Sequence, residues 1–154
     1  MRARDLFGEG TPFAGLAESH LEVLARAARE VSFAEGQRLF EEGAPAVGCW
    51  VVRRGCVAVD TVLPGQAPGV VQTLGPGQVV GWSWLVPPYR WHFGAVAVTP
   101  TLAVELDTEQ LRAWAEHDPS FGYPVAMTLL ATLLERLQAT RARLLDLYGR
   151  PHER

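Results

Sequence analysis

The sequence has no lysine: all fourteen of its basic residues are arginine. Chemistry that runs through a side-chain amine, such as Schiff-base formation, therefore has no residue to use. Cysteine is nearly absent as well. Cys49 and Cys56 are the only two, too few for a four-cysteine iron–sulfur or zinc site. Both sit in strand-like stretches and read as small, reduced packing residues. No apolar run approaches the roughly 18 residues that cross a bilayer. The first ten residues lack the apolar stretch of a secretory signal. Together these absences imply a cytoplasmic protein with no membrane partner. Histidine is sparse too: His20, His92, His117 and His152. Only His92 lies near a strand, and one histidine makes neither a metal site nor a haem site. No Gly-x-Ser-x-Gly is present; Gly81-Trp82-Ser83-Trp84-Leu85 lacks the second glycine. No catalytic residue, no metal and no enzymatic activity are expected.

What is present is an ordinary globular composition. The chain has 154 residues, 48% apolar and 20% charged, with a net charge of −3. That length suits one domain, 1–154. The charge gives no electrostatic footprint for nucleic acid.

Apolar residues recur at helical spacing from Ala17 to Ala28 (Leu21, Leu24, Ala25, Ala28), with Ser19 as the cap. Val31 and Phe33 alternate with polar neighbours, as in a strand. Glu35-Gly36 and Glu42-Gly43 mark turns. Cys49–Val52 and Cys56–Val59 flank Arg53-Arg54-Gly55, which predicts a hairpin. Leu63 to Gly69 reads as a loop. Val70–Leu74, Gln78–Val80, Ala95–Val98 and Leu102–Leu106 read as further strands, so a small roll is predicted over about 31–106. Helical spacing then resumes over about 107–148. Asp107 or Thr108 caps a helix to His117, Asp118-Pro119-Ser120 interrupts, and a long helix runs from Phe121 to Tyr148 and stops at Gly149.

Four segments carry a resemblance. Phe33-Ala34-Glu35-Gly36 is followed by Leu39-Phe40-Glu41-Glu42-Gly43. Val51-Val52-Arg53-Arg54-Gly55-Cys56-Val57 comes next, then Leu74-Gly75-Pro76-Gly77-Gln78-Val79-Val80-Gly81. Glu135 to Thr140 lies on the last helix. In this order they resemble the sensor domains of the CAP/FNR cyclic-nucleotide-binding family, over Leu16 to Gly149. The resemblance implies an α+β, mainly β fold: a jelly roll with an N-terminal helix and a long C-terminal one. It implies a regulatory role, for example in transcription, with a cyclic nucleotide such as cAMP as ligand and no other cofactor called for.

In that family the segment after the glycine cradles the cyclic phosphate with backbone N–H groups. A glutamate next to it takes the ribose hydroxyl, and a downstream arginine pairs with the phosphate. The resemblance places the ligand on Gly81, Trp82, Ser83, Trp84, Leu85, Arg90, Trp91 and Thr140. Trp82 stands where glutamate is expected, and an indole only donates. Arg90 is about one residue off its expected spacing, and Pro87-Pro88 stiffens the loop before it. Trp82, Trp84, Tyr89, Trp91 and Phe93 crowd this window. They either fill the core in place of a ligand or box in a planar, apolar one. Thr140 either contacts the ligand or bonds its own helix.

Leu130, Leu134, Leu137, Arg141, Leu144 and Tyr148 form a seam suited to a helix pair in a homodimer. Leu129, Leu133 and Leu145 widen the stripe toward the roll. Arg136, Arg141 and Arg143 alternate with acids and read as a solvated face. Only five residues follow Gly149, so no helix-turn-helix module and no direct DNA contact are expected. Output through a protein partner is the corollary. The alternative is an interaction module that has lost its ligand.

Overall fold

The computed structural model describes residues 3–67 and 69–149 and, at the end of the last helix, the backbone alone for Tyr148 and Gly149. Met1, Arg2, Pro68 and the five residues after Gly149 lie outside the described residues, as does the side chain of Tyr148.

Two short helices lead in, α1 (Ala3–Phe7) and α2 (Glu18–Arg26), with a 3-10 turn at Pro12–Gly15 between them. Nothing in the sequence pattern had marked α1 or that turn. Ser19 is not the cap of α2. Ala17 holds that place with extended backbone and no side-chain hydrogen bond. The helix forms because Leu21 and Leu24 bury one face completely. Phe7 and Phe13 meet edge to face at 5.7 Å. They join the same buried cluster as Val51 and Val52, so the N-terminal segment packs on the roll.

Eight strands follow: β1 (Ala28–Phe33), β2 (Arg38–Phe40), β3 (Cys49–Arg54), β4 (Val57–Thr61), β5 (Gly69–Leu74), β6 (Val79–Val80), β7 (Gly94–Ala97) and β8 (Thr101–Leu106). They make two antiparallel four-stranded sheets, ordered β1-β8-β3-β6 and β2-β7-β4-β5. This is the jelly roll. β1 and β8 register from Ala28 opposite Leu106 to Phe33 opposite Thr101.

The hairpin expected at Arg53-Arg54-Gly55 does not form. β3 pairs with β6 and β8, whereas β4 pairs with β5 and β7. The chain turns a corner between sheets there. Gly55 has φ +99°, and a Cβ on it would lie 2.5 Å from the Pro100 carbonyl. A turn signal fixes that the chain reverses, not which sheet it rejoins. Cys49 through Val52 are all buried, the continuous apolar run of a strand covered on both faces.

After β8, Asp107 caps α3 (Thr108–His117) by accepting from the Gln110 amide at 3.2 Å. α4 runs over Pro119–Gly149. The Asp118 carboxylate starts it by accepting from the Ser120 hydroxyl and amide, which holds its pKa below the usual range. Phe121, Val125 and Leu129 bury the first half of α4 on the fold. A helix of this length extends about 45 Å, and the buried apolar residues among those described on it stop at Leu129. Leu145, expected to pack back, is therefore 61% exposed. No helix among the described residues is long and apolar enough to cross a membrane.

Cys49 and Cys56 are free thiols, as the sequence reading had them. Burial pushes the Cys49 thiol up to about 12, against weaker opposing effects of Trp84 and Arg136. Two outcomes are expected. A maleimide should modify half-buried Cys56 in the native protein and Cys49 only on unfolding. Because the folded pKa is raised, the contribution of a neutral Cys49 is full below the unfolded thiol's pKa near 9. It is then lost as pH climbs toward 12. Mass mapping of the label checks the first, and urea titrations across that window check the second.

Candidate functional site

The segment between β6 and β7 forms the site. β6 is followed directly by Gly81, whose φ is +98°. A Cβ there would sit 2.9 Å from the Trp91 ring and 3.4 Å from the Gly48 carbonyl, so the position requires glycine twice over. A 3-10 turn, Ser83–Leu85, follows. The Trp84 indole donates back to the Gly81 carbonyl at 3.2 Å, and its ring is buried. Tyr89 takes the left-handed conformation at φ 58°. Its carbonyl accepts from the Ala46 amide at 2.7 Å.

Two arginines clamp this segment, one from each C-terminal helix. Arg112 of α3 stacks on the Tyr89 ring at 4.1 Å and donates to the Trp84 carbonyl at 3.0 Å. Arg136 of α4 stacks on the Trp82 ring at 4.0 Å and donates to the Val79 carbonyl at 2.6 Å. Burial lowers the Arg136 pKa to about 10, with Cys49 opposing, and leaves the side chain charged at neutral pH. Arg136 is not on a solvated face, as its acidic neighbours suggested. It continues the stripe Phe121, Val125, Leu129 and Thr132, at spacings of 4, 4, 3 and 4, on the face of α4 that meets the roll.

Beneath the segment lies a cavity of about 350 Å³. Phe40, Val59, Trp82, Trp91, Phe93 and Leu133 are among the residues of its wall. Phe40 and Trp91 on this wall are stacked at 3.8 Å and 14°, with Trp50 beside the pair, 5.6 Å from Phe40 and 6.1 Å from Trp91. No arginine, aspartate or glutamate borders it; His92, which is exposed, is its one titratable side chain. The Trp82 Nε1 is buried and has no acceptor. A larger cleft of about 620 Å³ opens between Gly10–Pro12, the Gly77–Val79 turn and α4. It lies outside the 81–93 segment and has none of this aromatic lining.

The residues singled out in the sequence divide. Gly81, Trp82, Ser83 and Trp91 line the cavity. Trp84 is packed in the core, and Leu85, half-buried, faces elsewhere. Arg90 does not reach the cavity. Its backbone pairs with Pro45, and its guanidinium turns outward to donate to the Gly43 carbonyl at 2.9 Å. Thr140, half-buried, lies two turns beyond Leu133 on α4 and is not part of the wall. The aromatic cluster divides: Trp84 and Trp91 are buried in the core, while Trp82 and Phe93 border the cavity. Arg38, close by in β2, forms a two-point pair with the buried Asp60 carboxylate at 2.7 and 3.1 Å and a further pair with Glu41. The Asp60 hydrogen bond raises its pKa. Among the described residues no group of three or more His, Cys, Asp or Glu side chains is placed to hold a metal ion.

The sequence profile of the cyclic nucleotide-binding domain matches residues 30–118. The chain belongs to this cyclic nucleotide-binding family. A relative, the CRP-like cAMP-activated global transcriptional regulator of Mycobacterium tuberculosis, is 27% identical over 135 residues. Those residues are 88% of this chain and 58% of the regulator. The chain thus spans little more than half the length of the curated relatives it matches. Among solved structures, a putative cyclic nucleotide-binding protein from Geobacter metallireducens superposes with a TM-score of 0.75 at 27% identity, over 82% of this chain and 91% of that one. The catabolite activator protein of Thermus thermophilus gives 0.70 at 26%, over 90% and 62%. In this cyclic nucleotide-binding domain Trp82 stands on the wall of the cavity and Arg90 is bonded outside it.

Proposed function

We propose that this chain is the sensing part of a regulator. A small molecule occupies the cavity under residues 81–93, and α4 carries the consequence outward. The observation that carries this reading is the Arg136 clamp. One side chain of the output helix is stacked on Trp82, a wall of the cavity, and bonded to the strand leading into it. A guest that displaces Trp82 moves the seat of α4. The seam residues Leu130, Leu134, Leu137, Arg141 and Leu144 are all exposed on the single chain. Their spacing suits pairing with α4 of a second copy. The regulators it resembles bring transcription as the process and a cyclic nucleotide as the starting ligand, here with an altered phosphate cassette. The alternative, an interaction module without a ligand, is favoured by the burial of Trp84 and Trp91 but leaves a cavity of about 350 Å³ without a use.

The test is a thermal-shift screen of small molecules, cAMP and cGMP included, on the wild type and on Leu133→Trp in parallel. Leu133 is 44% exposed, so a larger ring there narrows the cavity without straining the core. A ligand at about 100 times its Kd adds roughly 2.7 kcal/mol. Ligands of the cavity should shift the wild type and not the variant. In Arg136→Ala they should still bind but no longer alter hydrogen exchange in α4. Ligands that leave α4 exchange unchanged in the wild type would refute the output route.

A further inference from the structure

The chemistry of the wall selects among ligands. Every arginine near the cavity is already engaged, and none faces into it. Arg38 is held by Asp60 and Glu41. Arg90 points outward to the Gly43 carbonyl. Arg136 lies against Trp82 and is bound to the Val79 carbonyl. An anion brought into the cavity would lose its hydration with no arginine to replace it. Besides Ser83 and the exposed His92, the lining residues offer the Trp82 N–H, a neutral donor that is buried and without an acceptor, so that a guest meets it as the ring shifts. An unpaired buried donor of this kind stabilises whatever brings it an acceptor. The near-parallel Phe40 and Trp91 rings on the wall favour a flat guest lying against them. The volume is at the small end of the range for ligand sites.

We infer that the cavity takes an uncharged, planar, largely apolar small molecule with one hydrogen-bond acceptor, which receives the Trp82 N–H, and that it disfavours the cyclic phosphate. This rests on the reading that the cavity is the ligand site of the sensor. Trp82 is on this account a specificity residue. The side chain that removes the ribose acceptor supplies the donor for a different ligand.

A matched pair of probes tests it on the full chain. 2-Naphthamide and 2-naphthoate share a ring system and differ in charge; cAMP is the third probe and 2-methylnaphthalene the control without an acceptor. Binding is followed in the indole N–H region of a ¹⁵N spectrum, where the five tryptophans give separate signals and Trp82→Phe assigns one. The amide should bind about tenfold or more tighter than the carboxylate and move the Trp82 signal. In Trp82→Phe the preference for the amide over 2-methylnaphthalene should vanish while both still bind. If 2-naphthoate or cAMP binds as tightly as the amide, the inference about charge is overturned and the cavity stands as a ligand site. If no probe binds, or if binding survives Leu133→Trp, the cavity itself is not the site and both readings fall.

Discussion

Trp91→Ala is expected to destabilise the fold by about 3–5 kcal/mol, a drop of roughly 6–20 °C in midpoint for a chain of this length. The Trp91 ring is 4% exposed and lies flat on Phe40. It also fills the space over Gly81, where a Cβ would come within 2.9 Å of it. Its backbone ties two loops together, donating to the Ala44 carbonyl at 3.0 Å and accepting from the Gly43 amide at 2.8 Å. Those backbone bonds keep the loop in place after truncation, so the hole cannot collapse and the loss falls at the upper end. Urea unfolding of the variant measures it. A loss below about 1 kcal/mol would mean that the ring contributes little to the floor of the roll. Trp91→Phe, which keeps a ring for Phe40 to stack on, should recover more than half of the deficit.

The second large effect is expected on assembly. Leu130→Glu combined with Leu137→Glu should convert a dimer to monomers, raising the dissociation constant about 1000-fold or more. Each carboxylate would enter an apolar seam unpaired, and a two-fold interface repeats every substitution. The two leucines are 59% and 62% exposed on the single chain, so the monomer fold should be unaffected. Sedimentation velocity gives the masses, and near-ultraviolet circular dichroism confirms that the roll is intact. A wild type that sediments as a monomer would end the proposal that α4 pairs with itself.

The parts of this fold that were legible in the sequence rest on local signals. Asp107 before a helical stripe, glycine at strand ends and a leucine pattern over a long helix are each determined within a few residues. The strands were found, with β2 escaping because three residues between two turns leave no period to read. Partners were not legible. The Gly55 corner sends β3 and β4 to different sheets, a choice made by β7 and β8 more than thirty residues later. Arg38 and Asp60 carry no mark of their pairing in the sequence. Arg90 lay close to where the family places an arginine, but its side chain follows the backbone bridge to Pro45. Arg136 was missed for the opposite reason. Its charged neighbours outweighed its place in the buried stripe, although an arginine can bury its stem and stack its planar head on an aromatic ring.

The pairing of the first strand with the last has a consequence in time. β1 cannot complete its ladder until Leu106 is available, and nearly the whole roll lies between them. As the chain leaves the ribosome, α1 and α2 emerge before the roll, and the sheet on which they pack cannot yet close. Loop closure over such a span is slow compared with hairpin formation. Phe7, Phe13, Leu21 and Leu24 must therefore wait for that sheet until β8 has been made. That interval, rather than the finished domain, is when the chain is most open to aggregation.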